Sequence, residues 1–516
     1  MHSAPRVFKI VQNFFNHREI NSITTTILIF LFLYTSTVTL LGENFLNPLA
    51  DHIVPVTNTN ENGTVRTVFI LFILLVAGLF AAKLSNVLRI PPLFGCLVVG
   101  IVIRNIPVLY QFFLIPPLLE TMIRKLALVN IVIRWGLATD VHFFYKNALL
   151  PLTIGLVTAI GEIIAVTIAS YFILNISFIM SVLCAIILVT VSPAVTVPAM
   201  ISFKDRNLGA LKRIPENVLA VCCVDNLFCV ILFMVLSSIT FSDASIATTI
   251  LLNAGTIVLG VIGGVILGWL LWKFPRPDTP HTQFARITLL GTISISLMIG
   301  THLLKYSCSG FIAALVLTAM SAMKWKTDNE NKIDSVVSTY RYIWDCFGLP
   351  LLFICLGLKF DLSTLTWEIV LLCFAVIAIG LVARTILIVL VTLPSNMNMK
   401  EQVVVALSLL PRATFQADLA PTLLVMAAPF PEMSKDAALI MKAAIISVLV
   451  TAPIFDVLLN IIGSKCLKSH TLDSLSIRKT SVSVPANTTS YLNFGKTNPE
   501  LQEKRIRANK TEMAEE

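Results

Sequence analysis

The sequence predicts an all-α polytopic membrane protein, and three observations predict it. Hydrophobic residues make up 56% of the 516-residue chain and charged residues only 13%, with a mean hydropathy of +0.86, far from the composition of a soluble domain. Apolar stretches with few charges recur from about residue 22 to residue 464, each long enough to cross a hydrocarbon core of roughly 30 Å as a helix. Two short motifs also repeat in order in the two halves of the chain, as described below.

In chain order, spans are expected near residues 22–42, 66–86, 92–106, 118–140, 147–174, 177–203, 215–242, 246–272, 285–304, 308–323, 335–358, 365–394, 401–427 and 437–463, about 14 in all. Residues 1–21 form a short N-terminal segment, 22–464 the membrane domain, and 465–516 a tail rich in Ser, Thr, Asn and Lys without apolar periodicity, expected to be disordered. The first apolar run begins only near Ile23 and has the length of a full span, so it is expected to be the first helix and not a cleavable signal. Alternate loops are basic: Lys204, Arg206, Lys212 and Arg213; Lys273, Arg276 and Arg286; Lys324, Lys326 and Lys332; Lys400; and Lys465 with Lys468. The positive-inside rule puts these loops and both termini in the cytoplasm. The 43–65 loop carries Glu43, Asp51, Glu61 and the sequon Asn62-Gly63-Thr64, as an outside loop would. The membrane is a plasma membrane or an endomembrane, with no address signal to choose between them.

The net charge of +9 follows these loops and is topological, so lipid and not nucleic acid is the expected macromolecular environment. Ten cysteines, among them Cys222, Cys223, Cys229 and Cys355, show neither a disulfide framework nor zinc-site spacing, and are read as small apolar residues. No phosphate loop, nucleophile motif or metal cluster is present, which argues against an enzyme and for no cofactor.

The repeat begins with IRWGLATD at 133–140 and ICLGLKFD at 354–361, which share GL-x-x-D. Glu162 lies 22 residues after Asp140, and Arg384 lies 23 after Asp361. SPAVTVPA at 192–199 and LPRATFQA at 410–417 follow in the same order. The copies start on the fourth and eleventh spans, an odd separation that inverts one against the other. Inverted repeats belong to secondary transporters, whose site lies at the bilayer midplane where broken helices meet. The sixth span carries Pro193 and Pro198, and the thirteenth carries Pro411 and Pro421. Backbone groups freed at such depth are tolerated only beside protein or a wet cavity, so these two helices are the expected crossing.

Four ionisable residues, Glu162, Asp225, Arg384 and Arg412, stand out inside spans. Each costs on the order of 2.5–3.5 kcal/mol at the helix centre, so each is expected to face the interior and be paired. The repeat places Glu162 opposite Arg384 as a core ion pair, which leaves Asp225 to Arg412. Arginine keeps its proton, so Asp225 is the group expected to exchange one. Asp418 and Asp345 are each either a second carboxylate or a helix-end residue.

On PPLFGCLVVGIVIRNIP (91–107), RWGLATD (134–140), VSPAVTVPAM (191–200), the acid at 225 and LPRATFQA (410–417), the chain resembles the sodium/proton antiporters of the cation/proton antiporter superfamily, in the animal NHA branch. The resemblance runs from about residue 20 to 464. It implies the NhaA-like fold, in which a core with two crossed, broken helices moves against a dimerisation domain in a homodimer, and exchange of a monovalent cation (Na+ or Li+, with K+ as a further candidate) for protons. Glu162 and Arg384 match the family's core ion pair, and Arg412 falls where lysine is usual. Asp225 and Asn226 fall on its paired aspartates. The second of these, the main shared ligand of cation and proton in two-acid members, is here an amide.

That departure leaves three readings. The first is a cation/proton antiporter whose ion site uses Asp225, with Asn226, Thr196 and backbone carbonyls as further ligands. The second, suggested by two permanent cations against two acids, is a proton-coupled anion transporter moving chloride. The third is a non-transporting regulatory homologue acting through its tail.

Overall fold

The computed structural model describes residues 61–467, except 243, 244, 305 and 329, together with isolated positions between 21 and 36. The expected 22–42 span, the sequon loop and the tail beyond residue 467 lie largely or wholly outside them. All regular structure among the described residues is helical. In chain order the helices are α1 (Glu61–Val87), α2 (Pro92–Asn105), α3 (Pro107–Phe112), α4 (Pro117–Ala138), α5 (Val141–Asn147), α6 (Leu149–Ile173), α7 (Phe178–Val189), α8 (Pro193–Asp205) and α9 (Ile214–Phe241). There follow α10 (Ile246–Lys273), α11 (Thr282–Leu303), α12 (Ser307–Asp328), α13 (Glu330–Ile343), α14 (Leu349–Gly357), α15 (Trp367–Thr392), α16 (Met399–Ser408), α17 (Gln416–Ala427) and α18 (Pro431–Cys466).

Local sequence explains many of the starts. Proline stands in the first turn of α2, α3, α4, α8, α9 and α18, where its missing N–H costs nothing and its φ is already helical. Thr366 and Ser245 cap α15 and α10. Asn398 opens α16 with a capping box closed by Glu401, which accepts from the Asn398 amide at 2.7 Å.

Nine spans among the described residues are long and apolar enough to cross a membrane, α7 and α8 counting together as one, or ten if α4 and α5, bent by 64° at their junction, form a further one. The expected number of about 14 is therefore not confirmed. Hydropathy windows see composition and not continuity: α2 has only 14 residues, a π-helical turn at Trp344–Gly348 interrupts the 335–358 stretch, and the 401–427 stretch is broken between α16 and α17. The cysteines are free and most are buried among apolar neighbours. Leu251, Leu259 and Ile266 of α10 are exposed, as an outward face requires when lipid is the solvent.

The repeated GL-x-x-D motifs do the same job twice. Asp140 accepts from the Phe143 amide at 3.0 Å to start α5, and Asp361 accepts from the Ser363 amide at 2.9 Å to start a single 3-10 turn. Each then binds an arginine, Arg213 at 3.3 Å and Arg104 at 3.0 Å respectively. The α6 and α15 helices that follow pack antiparallel: Gly161 faces Leu387, and Gly380 faces Val166 and Glu162. The glycine of the second motif, Gly357, has a packing role of its own. A Cβ on Gly100 would sit 2.9 Å from the Gly357 Cα and against the Ile354 carbonyl oxygen, so α2 and α14 touch backbone to backbone. Gly100→Ala is expected to destabilise the protein by about 1–3 kcal/mol through overpacking, read as a lower melting temperature of the detergent-solubilised full-length chain.

Candidate ion site at the helix crossing

Two broken helices meet as the prolines predict. Thr190, Val191 and Ser192 separate α7 from α8, and residues 409–415 separate α16 from α17. The polar backbone freed by both breaks is satisfied across the crossing, as it must be away from water. The Ser192 amide donates to the Pro411 carbonyl at 2.8 Å, and the buried Thr196 hydroxyl donates to the Ser408 carbonyl at 2.7 Å. Gln416 Nε2 donates to the carbonyls of Ile187 and Thr190, both at 2.9 Å, and to Thr190 Oγ1 at 3.0 Å. The Arg412 amide donates to Thr451 Oγ1 at 3.0 Å, tying the second break to α18. Gln416→Leu removes a donor shared by three acceptors and is expected to cost about 1–3 kcal/mol of stability, with transport falling alongside because the crossing loosens.

The four core charges come together, in a pairing that corrects one expectation. Arg384 Nη1 donates to Glu162 Oε2 at 2.7 Å, the pair anticipated from the repeat. Its other amino group, Nη2, donates to Asp225 Oδ1 at 2.6 Å. Arg412 donates to Glu162 Oε1 at 2.6 Å, so it is not the partner of Asp225. The physical reason is the planar guanidinium fork, whose five donors let one arginine bridge two carboxylates. Both arginines also donate to the Val189 carbonyl, Arg384 at 3.2 Å. Val189 ends α7, where the unsatisfied carbonyl and the negative end of the helix dipole favour cations.

The resulting network is asymmetric. Both Glu162 oxygens hold a guanidinium, whereas Asp225 Oδ2 is buried with no hydrogen-bond partner. Asn226 is also fully buried; its Nδ2 donates to Cys222 Sγ at 3.4 Å, and its Oδ1 has no hydrogen-bond partner. The hydroxyls of Ser192 and Thr414, one in each break, are likewise buried without one. Thr196 is held at the crossing by its bond to Ser408.

Asp418 does not join this network. It lies in the first turn of α17, 1% exposed, with Oδ2 accepting from Lys125 Nζ at 2.9 Å and Oδ1 3.8 Å from Arg124 Nη1. On α4, Arg124 also stands 3.6 Å from Glu120, which accepts from Lys359 at 2.7 Å. Glu120, Arg124 and Lys125 were not among the charges singled out from the sequence, although their spacing within the 118–140 span marks a polar helical face. Asp345 is a surface residue on the π turn, inside the helical run 330–357 and not at a helix end, 3.8 Å from Arg341.

From residue 70 to residue 461 the chain matches the family described as sodium/hydrogen exchanger, transmembrane. Among its relatives, human sodium/hydrogen exchanger 9B1 is 28% identical over 409 residues, spanning 78% of each chain. The mouse 9B1 protein is 30% identical over 75% of this chain and 68% of its own, and the Xenopus tropicalis 9B2 protein 28% identical over 77% and 74%. The solved structure of the sodium proton antiporter MjNhaP1 from Methanocaldococcus jannaschii superposes with a TM-score of 0.62 at 17% identity, covering 78% of this chain and 99% of that one, so the fold is shared. The motif resemblance, the antiporter fold and the family match agree: this chain is an integral membrane protein of the sodium/hydrogen exchanger family, a family of transporters and not of enzymes.

Proposed function

We propose that the chain exchanges a monovalent cation, Na+ or Li+ with K+ as a further candidate, for protons at the crossing, and that Asp225 is the exchanging carboxylate. The observation that carries this reading is the asymmetry of the two buried acids. Glu162 has both oxygens committed to arginine, while Asp225 keeps one oxygen without a donor. A proton on Asp225 Oδ2, or a dehydrated cation shared by that oxygen and Asn226 Oδ1, satisfies atoms that otherwise bear the full cost of burial. Arg384 and Arg412 stay protonated throughout and hold Glu162 in place. Proton and cation each add one positive charge to the same acid, so exchange is one for one. Besides the transported ions no cofactor is needed.

In this reading the basic loops face the cytoplasm with both termini, in a plasma membrane or endomembrane, and the chain works as a homodimer. Support for a single basic end comes from Lys212, which reaches Glu401 at 2.7 Å, and Lys204, 3.6 Å from Glu216.

Uptake of radioactive sodium into acid-loaded liposomes carrying the purified full-length protein is the test; uptake no greater than in protein-free liposomes, with folded and inserted protein, overturns the reading. Asn226→Asp restores a second carboxylate and is expected to tighten the apparent cation affinity by roughly tenfold. One observation favours a second reading, proton-coupled chloride transport: the two arginines at the crossing match its two acids, and no carboxylate there lacks an arginine.

A further inference from the structure

Away from the basic loops, a cavity of about 600 Å³ opens among the end of α9, the start of α10 and the turn between α11 and α12, lined by Ser237, Ser238, Asn253, His302, Tyr306 and Ser307 among others. Beneath it lies a chamber of about 20 Å³, the size of a single water or bare ion. The two share Met234, His302 and Ser307 as walls. Asp418 and Lys125 also line the chamber, together with Phe415 and Val230. Phe415 closes the break that contains Arg412, and Val230 lies five residues beyond Asp225 on α9. The chamber therefore stands between the cavity and the crossing.

We propose that Asp418 is a second cation-binding carboxylate, a station for a dehydrated monovalent cation between this cavity and the crossing, whose place the Lys125 ammonium holds as an internal competitor. Asp418 Oδ1 is buried with no hydrogen-bond donor, and Oδ2 is 2.9 Å from the ammonium. The other charged or titratable groups around it are Arg124 and Glu120 on the Lys125 helix, His302 on α11, and Lys359 through Glu120. Glu120 takes Lys359 at 2.7 Å and stands 3.6 Å from Arg124, so among the described residues Lys125 is the one cation within hydrogen-bond distance of an Asp418 carboxylate oxygen, with Arg124 more distant at 3.8 Å from Oδ1. An ammonium and a bare cation make the same kind of contact with a carboxylate, and removing the ammonium leaves both Asp418 oxygens buried without a close donor and only Arg124, at 3.8 Å, as a counter-charge, a place that a small cation would take. The choice of a monovalent cation rests on the antiport reading; the geometry of the station does not.

The test is cation binding and not transport. The full-length protein, purified in detergent with LiCl, is melted over a series of LiCl concentrations balanced with choline chloride. Lys125→Gln is expected to tighten the apparent Li+ affinity by about tenfold, and Lys125→Gln combined with Asp418→Asn to abolish that gain. Lys125→Arg, which keeps the pair, is expected to show none. An unchanged Li+ midpoint in folded Lys125→Gln, or a gain that survives Asp418→Asn, overturns the proposal. So does a gain that Asp225→Asn removes, since the ion would then sit at the crossing alone. If Lys125→Gln does not fold, Asp418→Asn in the wild-type background is read instead: a Li+ midpoint weakened several-fold supports the station, and an unchanged one overturns it. Li+ binding at Asp418 in a protein that exchanges no cation for protons would overturn the antiport reading and leave the station standing.

Discussion

Asp225→Asn is expected to reduce Na+- or Li+-driven proton movement to the level of protein-free liposomes, while the protein still folds and inserts. The argument for folding is local. Asp225 contributes one accepted hydrogen bond, from Arg384 Nη2 at 2.6 Å, and the asparagine has the same shape and keeps an acceptor oxygen for it. The argument for lost function is chemical: an amide takes up no proton in this range, so the core is fixed with the charge of its proton-loaded state and a cation has no carboxylate to displace that proton from. The check is an internal pH dye, with melting temperature and size-exclusion profile as the control for folding. Full retained coupling in a folded variant would remove Asp225 from its assigned role.

Arg384→Met is expected to have the largest effect on stability. One guanidinium serves both buried acids, so its loss leaves Asp225 without a cation and Glu162 with only Arg412. Breaking a buried pair by removing one partner costs about 3–5 kcal/mol, and here two carboxylates are exposed to that cost. The melting temperature of the solubilised protein reports it. The double variant Arg384→Met with Asp225→Asn restores neutrality through Glu162 and Arg412 and is expected to recover a large part of the loss. Arg412→Met, which strips only one oxygen of Glu162, is expected to be milder than Arg384→Met. Had Asp225 been held by Arg412, the second acid to remove for rescue of Arg384→Met would be Glu162, so the rescue pattern tests the pairing directly.

Much of this architecture is written in the sequence because bilayers punish exceptions. Apolar length alone marks the spans, and prolines at 193 and 411 mark the two breaks because lost backbone bonds must be replaced at depth. The phase of the repeat brings Glu162 to Arg384 correctly. Three things are not legible. The span count is not confirmed, since hydropathy registers apolar length and not where a helix, as in the 401–427 stretch, is broken. The partner of Asp225 fails because one-to-one pairing ignores the two-pronged reach of a guanidinium. The partner of Asp418 is Lys125, 293 residues away in the chain, and no local pattern connects them. Asn226 is the converse case: the sequence shows at once that an expected acid is an amide, while only the structure shows its oxygen buried without a donor beside an acid in the same state.

An Asp225 that serves a cation and a proton in turn should couple the movement of one to that of the other. The most direct measurement puts the purified full-length protein in liposomes with a trapped pH dye and adds Na+, Li+ or K+ as gluconate salts, then a chloride gradient without those cations. At least one of the cations is expected to move protons at zero chloride, and the Asp225→Asn protein is expected not to respond. Proton movement only with the chloride gradient, or none with any ion from folded and inserted protein, would contradict this coupling.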